Sequence, residues 1–355
     1  MKKKMLLLSV LLITLVVAGC GGNTKNSKSD DKPIAKSKVA EVQIEKGEYV
    51  IPFSEDGEGG SDTYIALQVK VKNKSKEQMY ITADNFALYE KGEDEKINPI
   101  TDYKSGFKTS EEGGKLSADK SLKLTILFNV KKDKEYSLNF ATNSFDEDNK
   151  KDVELAVDQT QYKDSLKKLD EPKKALDAYM DVVFLNKENE NYDNLVSTNS
   201  EEAIAEFKKA FNKVTKDYVV YNYKPTDDEL TTLFKNYQET ESKRATIETK
   251  LLGNTGEKAL VEVKFKGLSN DSIIDIIREY KEEYNDENDT YDSEKSEQYA
   301  LTKYPEILEK SELGEPRNDI KVLLTKKDGK WDISMKSNVD ASNENLLRAF
   351  TGNVD

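Results

Sequence analysis

Two domains of different class are predicted, a β-sandwich followed by an α+β domain, and three observations predict them. The chain has 355 residues, more than one hydrophobic core usually organises. From about Val39 to Asp158, apolar side chains recur at every second residue, the period of strands with one wet face. From Pro172 onward they recur at three and four residues, the period of helices, before two hairpin patterns close the sequence. The order expected is a leader over 1–19, a tether over 20–38, a sandwich over 39–158, a connector over 159–171 and the α+β domain over 172–355.

The leader begins with Lys2-Lys3-Lys4, a positively charged segment, and continues through Leu6 to Ala18, an apolar run too short to span a bilayer. That is the pattern of a secretory signal peptide. Its end, Leu15-Val16-Val17-Ala18-Gly19-Cys20, places small residues before the sole cysteine of the chain. This stretch closely resembles the lipobox of bacterial lipoproteins. The resemblance implies diacylglycerol transfer to the Cys20 sulfur, cleavage before Cys20, and residence on the outer face of the cell membrane. Lipid anchoring needs two acyl chains such as palmitate, each buried methylene contributing about 0.8 kcal/mol. With no second cysteine, no disulfide forms within the chain, and packing alone must hold both domains.

The stretch GGNTKNSKSDDKPIAKSK after Cys20 has no apolar period and reads as a solvated tether. Beyond it, Ile65, Leu67, Val69 and Val71 alternate with Ala66, Gln68, Lys70 and Lys72, and Leu122, Leu124, Ile126, Phe128 and Val130 repeat the pattern. Shorter runs at Val42–Ile44, Met79–Ile81, Phe86–Tyr89, Tyr136–Phe140 and Val153–Val157 bring the expected strands to about seven. The stretches IALQVKVKNKSKEQMYITADNFALYEKGED and GGKLSADKSLKLTILFNV resemble the immunoglobulin-like (telokin-like) domain of unknown function of Gram-positive lipoproteins. Many members of that family carry Pro-Gly where this chain has Ala118-Asp119. The resemblance implies a scaffold or interaction role and brings no chemistry.

In the second half, Pro172 suits a first helical turn, and Ala175, Leu176, Tyr179, Val182 and Val183 form a stripe. A second helix runs from about Glu201 with Ile204, Phe207, Phe211 and Val214 inward. Thr226-Asp227-Asp228-Glu229 is a capping box that starts a third, with Leu230, Leu233, Phe234 and Tyr237 buried. Two hairpins follow, Ala245–Leu252 with Lys258–Gly267, and Ile320–Lys326 with Lys330–Met335 through Asp328-Gly329. Helices at Asp271–Tyr284 and Ser293–Lys310 lie between them. The stretches EPKKALDAYMDVVFLNKENENYDNLV and KVLLTKKDGKWDIS resemble a C-terminal domain of unknown function in lipoproteins of the same group. More loosely, the region is similar to cystatin-like cone folds, which implies a curved sheet around a helix that binds small molecules or dimerises. Trp331 either lines a pocket or, as a lone Trp on a hairpin more often does, joins the core.

Composition excludes more than it suggests. The formal charge is −13; the first nineteen residues hold three Lys and no acid, so the remainder has 52 basic and 68 acidic groups, a net of −16. Such a surface repels phosphate backbones, and nucleic acid is not an expected partner. No histidine occurs, which removes Ser-His-Asp catalysis and the usual zinc sites. Ser105-x-x-Lys108, Ser117-x-x-Lys120 and Ser165-x-x-Lys168 fit a Ser-Lys pattern, but SDN and KTG do not accompany them. Asp286, Asn288, Asp289 and Asp292, and Asp146, Asp148 and Asn149, cluster without the Gly and Glu spacing of an EF-hand loop. No catalytic residue, metal ligand or cofactor is therefore expected, and Cys20 is the one assigned site. The function expected is non-enzymatic: a lipid-anchored surface lipoprotein that binds an envelope protein, peptide or small ligand, with a sensory or inhibitory role sharing the same chemistry. The alternative is a histidine-free envelope hydrolase using paired carboxylates or Ser-Lys.

Overall fold

A computed structural model describes residues 33–53, 63–100, 113–141, 153–336 and 342–354. The N-terminal half contains β1 (Ile34–Lys36), β2 (Ala40–Val50), β3 (Thr63–Asn73), β4 (Met79–Ile81), β5 (Phe86–Glu90), β6 (Lys96–Ile97), β7 (Gly114–Leu116), β8 (Ser121–Val130), β9 (Tyr136–Phe140) and β10 (Val153–Val157). One antiparallel sheet runs β1-β2-β3-β8, a second runs β10-β9-β5-β6, and β4 pairs with β7 in a separate ribbon. The alternation seen in the sequence sets which side chains meet: Val42, Leu67, Val69 and Ile126 of the first sheet share one core with Leu88, Leu138, Phe140 and Leu155 of the second. Phe86 and Phe140 touch across β5 and β9, their ring centroids 4.9 Å apart.

The three strands missing from the sequence reading, β1, β6 and β7, are two or three residues long. A period of two cannot be recognised over so short a run. Strand β1 falls within the stretch read as tether; it pairs with Glu41–Gln43 of β2. At the turn over Ser117–Lys120, Lys120 N–H donates to Ser117 O at 3.1 Å and Asp119 has φ 58°. Asp is among the few side chains that tolerate this left-handed conformation.

The segment over 159–171 is helical. Asp158 accepts from Thr160 N–H and starts a 3-10 turn at Gln159–Tyr162, which leads into α1 (Lys163–Lys167). Leu166 and Leu169 pack against the sandwich core. Tyr162 lies flat on Gly47 of β2, where a Cβ would come within 2.5 Å of the ring.

The C-terminal half continues with α2 (Glu171–Tyr179), α3 (Asn191–Leu195), α4 (Ser200–Val214), α5 (Asp227–Arg244), β11 (Thr246–Asn254), β12 (Lys258–Leu268), α6 (Asn270–Glu287), α7 (Ser293–Thr302), α8 (Tyr304–Lys310), β13 (Leu313–Gly314), β14 (Ile320–Lys327), β15 (Lys330–Asp332) and α9 (Glu344–Ala349). The strands form an antiparallel sheet in the order β11-β12-β14-β15, with β13 beside the end of β12. Val261, Phe265, Val322 and Trp331 of the sheet share a core with Leu176, Phe184, Phe207, Tyr237 and Phe350. Tyr179 and Tyr237 are core residues, as their helical spacing predicts.

Several local signals act as expected. The capping box forms at α5, where Thr226 Oγ1 accepts from Glu229 N–H and Glu229 Oε2 accepts from Thr226 N–H. Asp328 and Gly329 have φ 51° and 83°, the angles that close the β14–β15 hairpin. One expectation fails: the helix predicted over Ser293–Lys310 is two, because Pro305 lies in the first turn of α8 and cannot donate to a continuing ladder. Two π-helical turns, Met180–Phe184 after α2 and Thr215–Val219 after α4, also had no signature in the period. The C-terminus is fastened by Asn343, whose side-chain amide donates to Leu323 O at 2.9 Å and accepts from Leu323 N–H at 2.8 Å, like a neighbouring strand.

Candidate functional site

The two halves meet where β2 ends. Ile51 N–H donates to Asn254 O at 2.8 Å and Asn254 N–H to Ile51 O at 2.7 Å, so the chain leaving the sandwich pairs with the last residue of β11. Asn254 Nδ2 donates to Leu169 O at 2.9 Å, and its Oδ1 accepts from Gly256 N–H at 2.8 Å. Phe53 occupies the space beside Gly253, where a Cβ would lie 2.4 Å from the ring. On the other side of β2, Tyr49 N–H donates to Ser165 Oγ of α1 at 2.8 Å. Burial pushes the Tyr49 phenol up to about 12, with Asp133 adding to the shift, so it stays neutral and donates to Gln159 Oε1 at 2.9 Å. These bonds fix three walls around an open cleft of about 410 Å³.

The sandwich contributes Lys46, Glu48 and Tyr49, the connector helix Asp164, Ser165 and Lys168, and the two hairpin ends Asn254, Glu257, Lys326, Asp328 and Trp331. Some of these charges are already matched. Lys46 pairs with Glu48 at 2.9 Å and Asp164 with Lys167 at 3.2 Å. Lys326 reaches Glu171 of α2 at 3.9 Å and lies 5.0 Å from the centroid of the Trp331 ring, a cation–π contact. Lys168, Glu257 and Asp328 are exposed and have no side-chain partner among the described residues. Trp331 is 1% exposed, and its indole nitrogen has no hydrogen-bond partner. It is therefore both core and cleft wall, the two readings that the sequence left open.

Two buried carboxylates lie elsewhere in this half. Glu297 accepts from Asn222 N–H (2.7 Å), Asn222 Nδ2 (2.9 Å), Tyr223 N–H (2.8 Å) and Lys281 Nζ (2.7 Å). Burial disfavours its charge, but Lys281 and the Tyr223 and Asn222 donors outweigh that and hold its carboxyl below the usual range. Glu241 of α5 has one donor, Leu268 N–H at 2.9 Å, and its Oε1 is unpartnered. Burial pushes its carboxyl up to about 7, against the pull of Leu268 N–H and Arg244.

Of the sequence candidates, Cys20, Ser105, Lys108, Asp146, Asp148 and Asn149 lie outside the described residues. Ser165 and Lys168 both line the cleft, yet Ser165 Oγ donates to Tyr162 O at 2.7 Å and makes no bond to Lys168. A hydroxyl whose proton is held by a carbonyl is not an activated nucleophile. Ser117 and Lys120 form a turn through their backbones only. Asp292 caps α7 and pairs with Lys295 at 3.0 Å, and no group of three His, Cys, Asp or Glu residues able to hold a metal occurs among the described residues. Sequence reasoning missed Glu257, Lys326 and Asp328 as site residues. Their signal is position: all three stand at hairpin ends, and only pairing of β12 with β14 puts those ends side by side.

No helix among the described residues is long and apolar enough to cross a membrane. Compared with known proteins, residues 34–151 match the domain of unknown function DUF4352 and residues 162–351 match the domain of unknown function DUF5105. The uncharacterized lipoprotein YcdA of Bacillus subtilis strain 168 is 26% identical over 355 residues, covering 98% of each chain. The crystal structure of ycdA from Bacillus subtilis superposes with a TM-score of 0.66 at 25% identity, over 90% of this chain and 99% of that one. That structural match agrees with the two-part organisation, strands first and helices with antiparallel strands afterwards. The chain belongs to the DUF5105 family, with a DUF4352 match ahead of it, and along its whole length it is similar to a Gram-positive lipoprotein.

Proposed function

We propose that this chain is a lipoprotein anchored through Cys20 to the outer face of the cell membrane, and that its role there is non-enzymatic: it binds a ligand in the cleft between its halves. The observation that carries the binding reading is the cleft itself. Its walls are held in place by backbone and side-chain bonds from β2, α1 and β11, so the ligand meets a preformed surface. Its volume of about 410 Å³ suits a small molecule or the end of a peptide. Its polar groups are spent on structural bonds or left free in both signs, and none forms a nucleophile–base pair.

Anchoring is tested by Cys20→Ala, which should leave the chain unprocessed or released from membranes; membrane-bound, cleaved Cys20→Ala protein defeats it. Binding is tested by native mass spectrometry of the full chain in detergent after incubation with a small-molecule extract of the cell envelope. A mass adduct on the wild type that is absent from Lys168→Trp, which fills the cleft, supports the reading. A wild type without an adduct sinks it.

A further inference from the structure

Charge is not evenly spread over the sandwich. Three of its segments, residues 37–39, 72–78 and 115–120, are tied together at one end of the sheets. Lys74 N–H donates to Val39 O at 2.8 Å, Asn73 N–H to Lys120 O at 2.9 Å, and Asp119 N–H to Asn73 O at 3.0 Å. The buried Asn73 side chain donates to Glu77 O at 2.7 Å and Leu116 O at 2.9 Å. This tip carries Lys38, Lys72, Lys74, Lys76, Lys115 and Lys120 against Glu77 and Asp119, in a chain whose net charge after the leader is −16. All six lysines are exposed, and none has a carboxylate partner among the described residues. At the opposite end of the same sheets, where Val130 pairs with Thr63, residues 90–93 and 131–135 hold four lysines and four carboxylates. There Lys91, Lys131 and Lys134 are each matched by Glu135 or Glu90. The surplus of positive charge belongs to one end only.

Two further observations say what this end meets. Tyr80 of β4 lies opposite Lys115 of β7 and is 59% exposed, and a phenol, apolar in its ring and polar at its tip, suits the headgroup layer of a bilayer. Strand β1 ends at Lys36, beside the first of the three segments, and is so short that Pro33 stands about 10 Å from the tip. Thirteen residues separate Pro33 from Cys20, a contour of at most about 45 Å. Lipid on Cys20 would keep a bilayer within that distance of Pro33, so the tether supplies a high local concentration of headgroups and none of any soluble polyanion. Each lysine brought against an anionic bilayer strengthens binding roughly fivefold. We propose that the Asn73 end of the sandwich docks on anionic phospholipid headgroups, with its lysines against the phosphates and Tyr80 at their level. This inference rests on the anchoring proposed above and says which end of the anchored chain meets the membrane.

Cys20 is the sole cysteine and would be blocked by lipid, so Gln78→Cys at the tip and Lys132→Cys at the opposite end each give the full chain one site for a fluorescent label. The labelled chain is anchored in vesicles of phosphatidylcholine, with or without about one-third phosphatidylglycerol. Acrylamide quenching of the label at 78 should fall roughly threefold on the anionic vesicles and not on the neutral ones, and should return at about 0.5 M salt. The label at 132 should be quenched alike on both. Lys74→Glu, Lys76→Glu and Lys120→Glu together should abolish the shielding. All three side chains are exposed and unpaired, so thermal melting of this variant should match that of its parent. Equal quenching at 78 on the two kinds of vesicle, or shielding that survives salt and charge reversal, would overturn the proposal. Shielding by soluble polyglutamate where anionic vesicles give none would overturn it as well. If the chain washes off neutral vesicles yet is retained and shielded on anionic ones, only the anchoring reading falls; if it is retained on neither, the docking tip falls with it.

Discussion

Between its two sheets the N-terminal half buries Val42, Leu67, Phe86, Phe128 and Leu138, and among its described residues the buried polar ones are the neutral Thr63, Asn73 and Asn85. Among its described residues the C-terminal half buries two carboxyl groups, Glu241 and Glu297, each 1% exposed. The difference follows from how each half closes. Paired strands satisfy one another's backbone groups, so the space between two sheets needs only apolar side chains. Helices leave four amide groups at one end and four carbonyls at the other, and loops that turn inward bring more. Glu297 supplies acceptors for the loop amides of Asn222 and Tyr223, Glu241 for the end of β12, and Arg244 supplies donors for Leu308 O and Ser311 O. Glu297 is buried where the irregular backbone of Asn222 and Tyr223 is buried.

The comparison can be broken at its strongest point first. Phe128→Ala removes a fully buried ring from the sandwich and should cost about 4 kcal/mol of that half's stability. In urea the far-ultraviolet dichroism should then show an early transition, while Trp331 fluorescence, which reports on the other half, keeps its wild-type midpoint. A coincident shift of both probes would mean that the Ile51–Asn254 and Tyr49–Ser165 bonds fuse the halves into one cooperative unit. Glu297→Ala strands Lys281 and two loop amides, and should lower the Trp331 midpoint by about 3 kcal/mol equivalent. Stability unchanged in that variant would make the buried carboxylate incidental.

The two carboxylates should also answer pH in opposite directions. Glu241 has a folded value of about 7, above its unfolded value, so the native state holds a proton that the unfolded chain releases. Its contribution is fully present below the unfolded value and is lost as pH rises through about 7, a change of about 3 kcal/mol between pH 4.5 and 7. Glu297 is held below its unfolded value, so its contribution is present at neutral pH and is lost as pH falls through the folded value. Denaturation of the wild type should therefore show a decline in stability between pH 5 and 7 that Glu241→Gln lacks; an identical pH profile would show that Glu241 stays charged. The smallest effect belongs to the sandwich. Asp119→Gly relieves the Cβ at φ 58° and should stabilise by about 0.5 to 1 kcal/mol in chemical denaturation.

Legibility differed between the halves for the same reason. In β3, residues Ile65, Leu67, Val69 and Val71 are all fully buried, as their alternation predicts, because a strand's period is a property of its own backbone. The capping box at Thr226 and the Asp328-Gly329 turn were equally plain, since each is satisfied by residues three or fewer apart. The break between the helices at Ser293–Thr302 and Tyr304–Lys310 is also legible in the sequence, at Pro305, although one helix was expected over Ser293–Lys310. Nothing near Glu297 in the chain announces that its partners are Asn222 and Tyr223, some seventy-five residues away. The cleft is hidden in the same way: Lys168 stands in a charged segment with no apolar period, and Glu257 and Asp328 look like ordinary turn residues.

By itself the sequence determined the classes of the two halves, the strand period, the helix starts and the hairpin turn, because these depend on residues within a few positions of one another. Tertiary structure alone decided that α1 packs on β2, that β2 hands its edge to β11 at Asn254, and that three separated segments enclose one polar hollow with Trp331 in its wall. A hydrogen bond between distant segments leaves no periodicity behind, and the free energy that selects it exists only once both segments have been brought together.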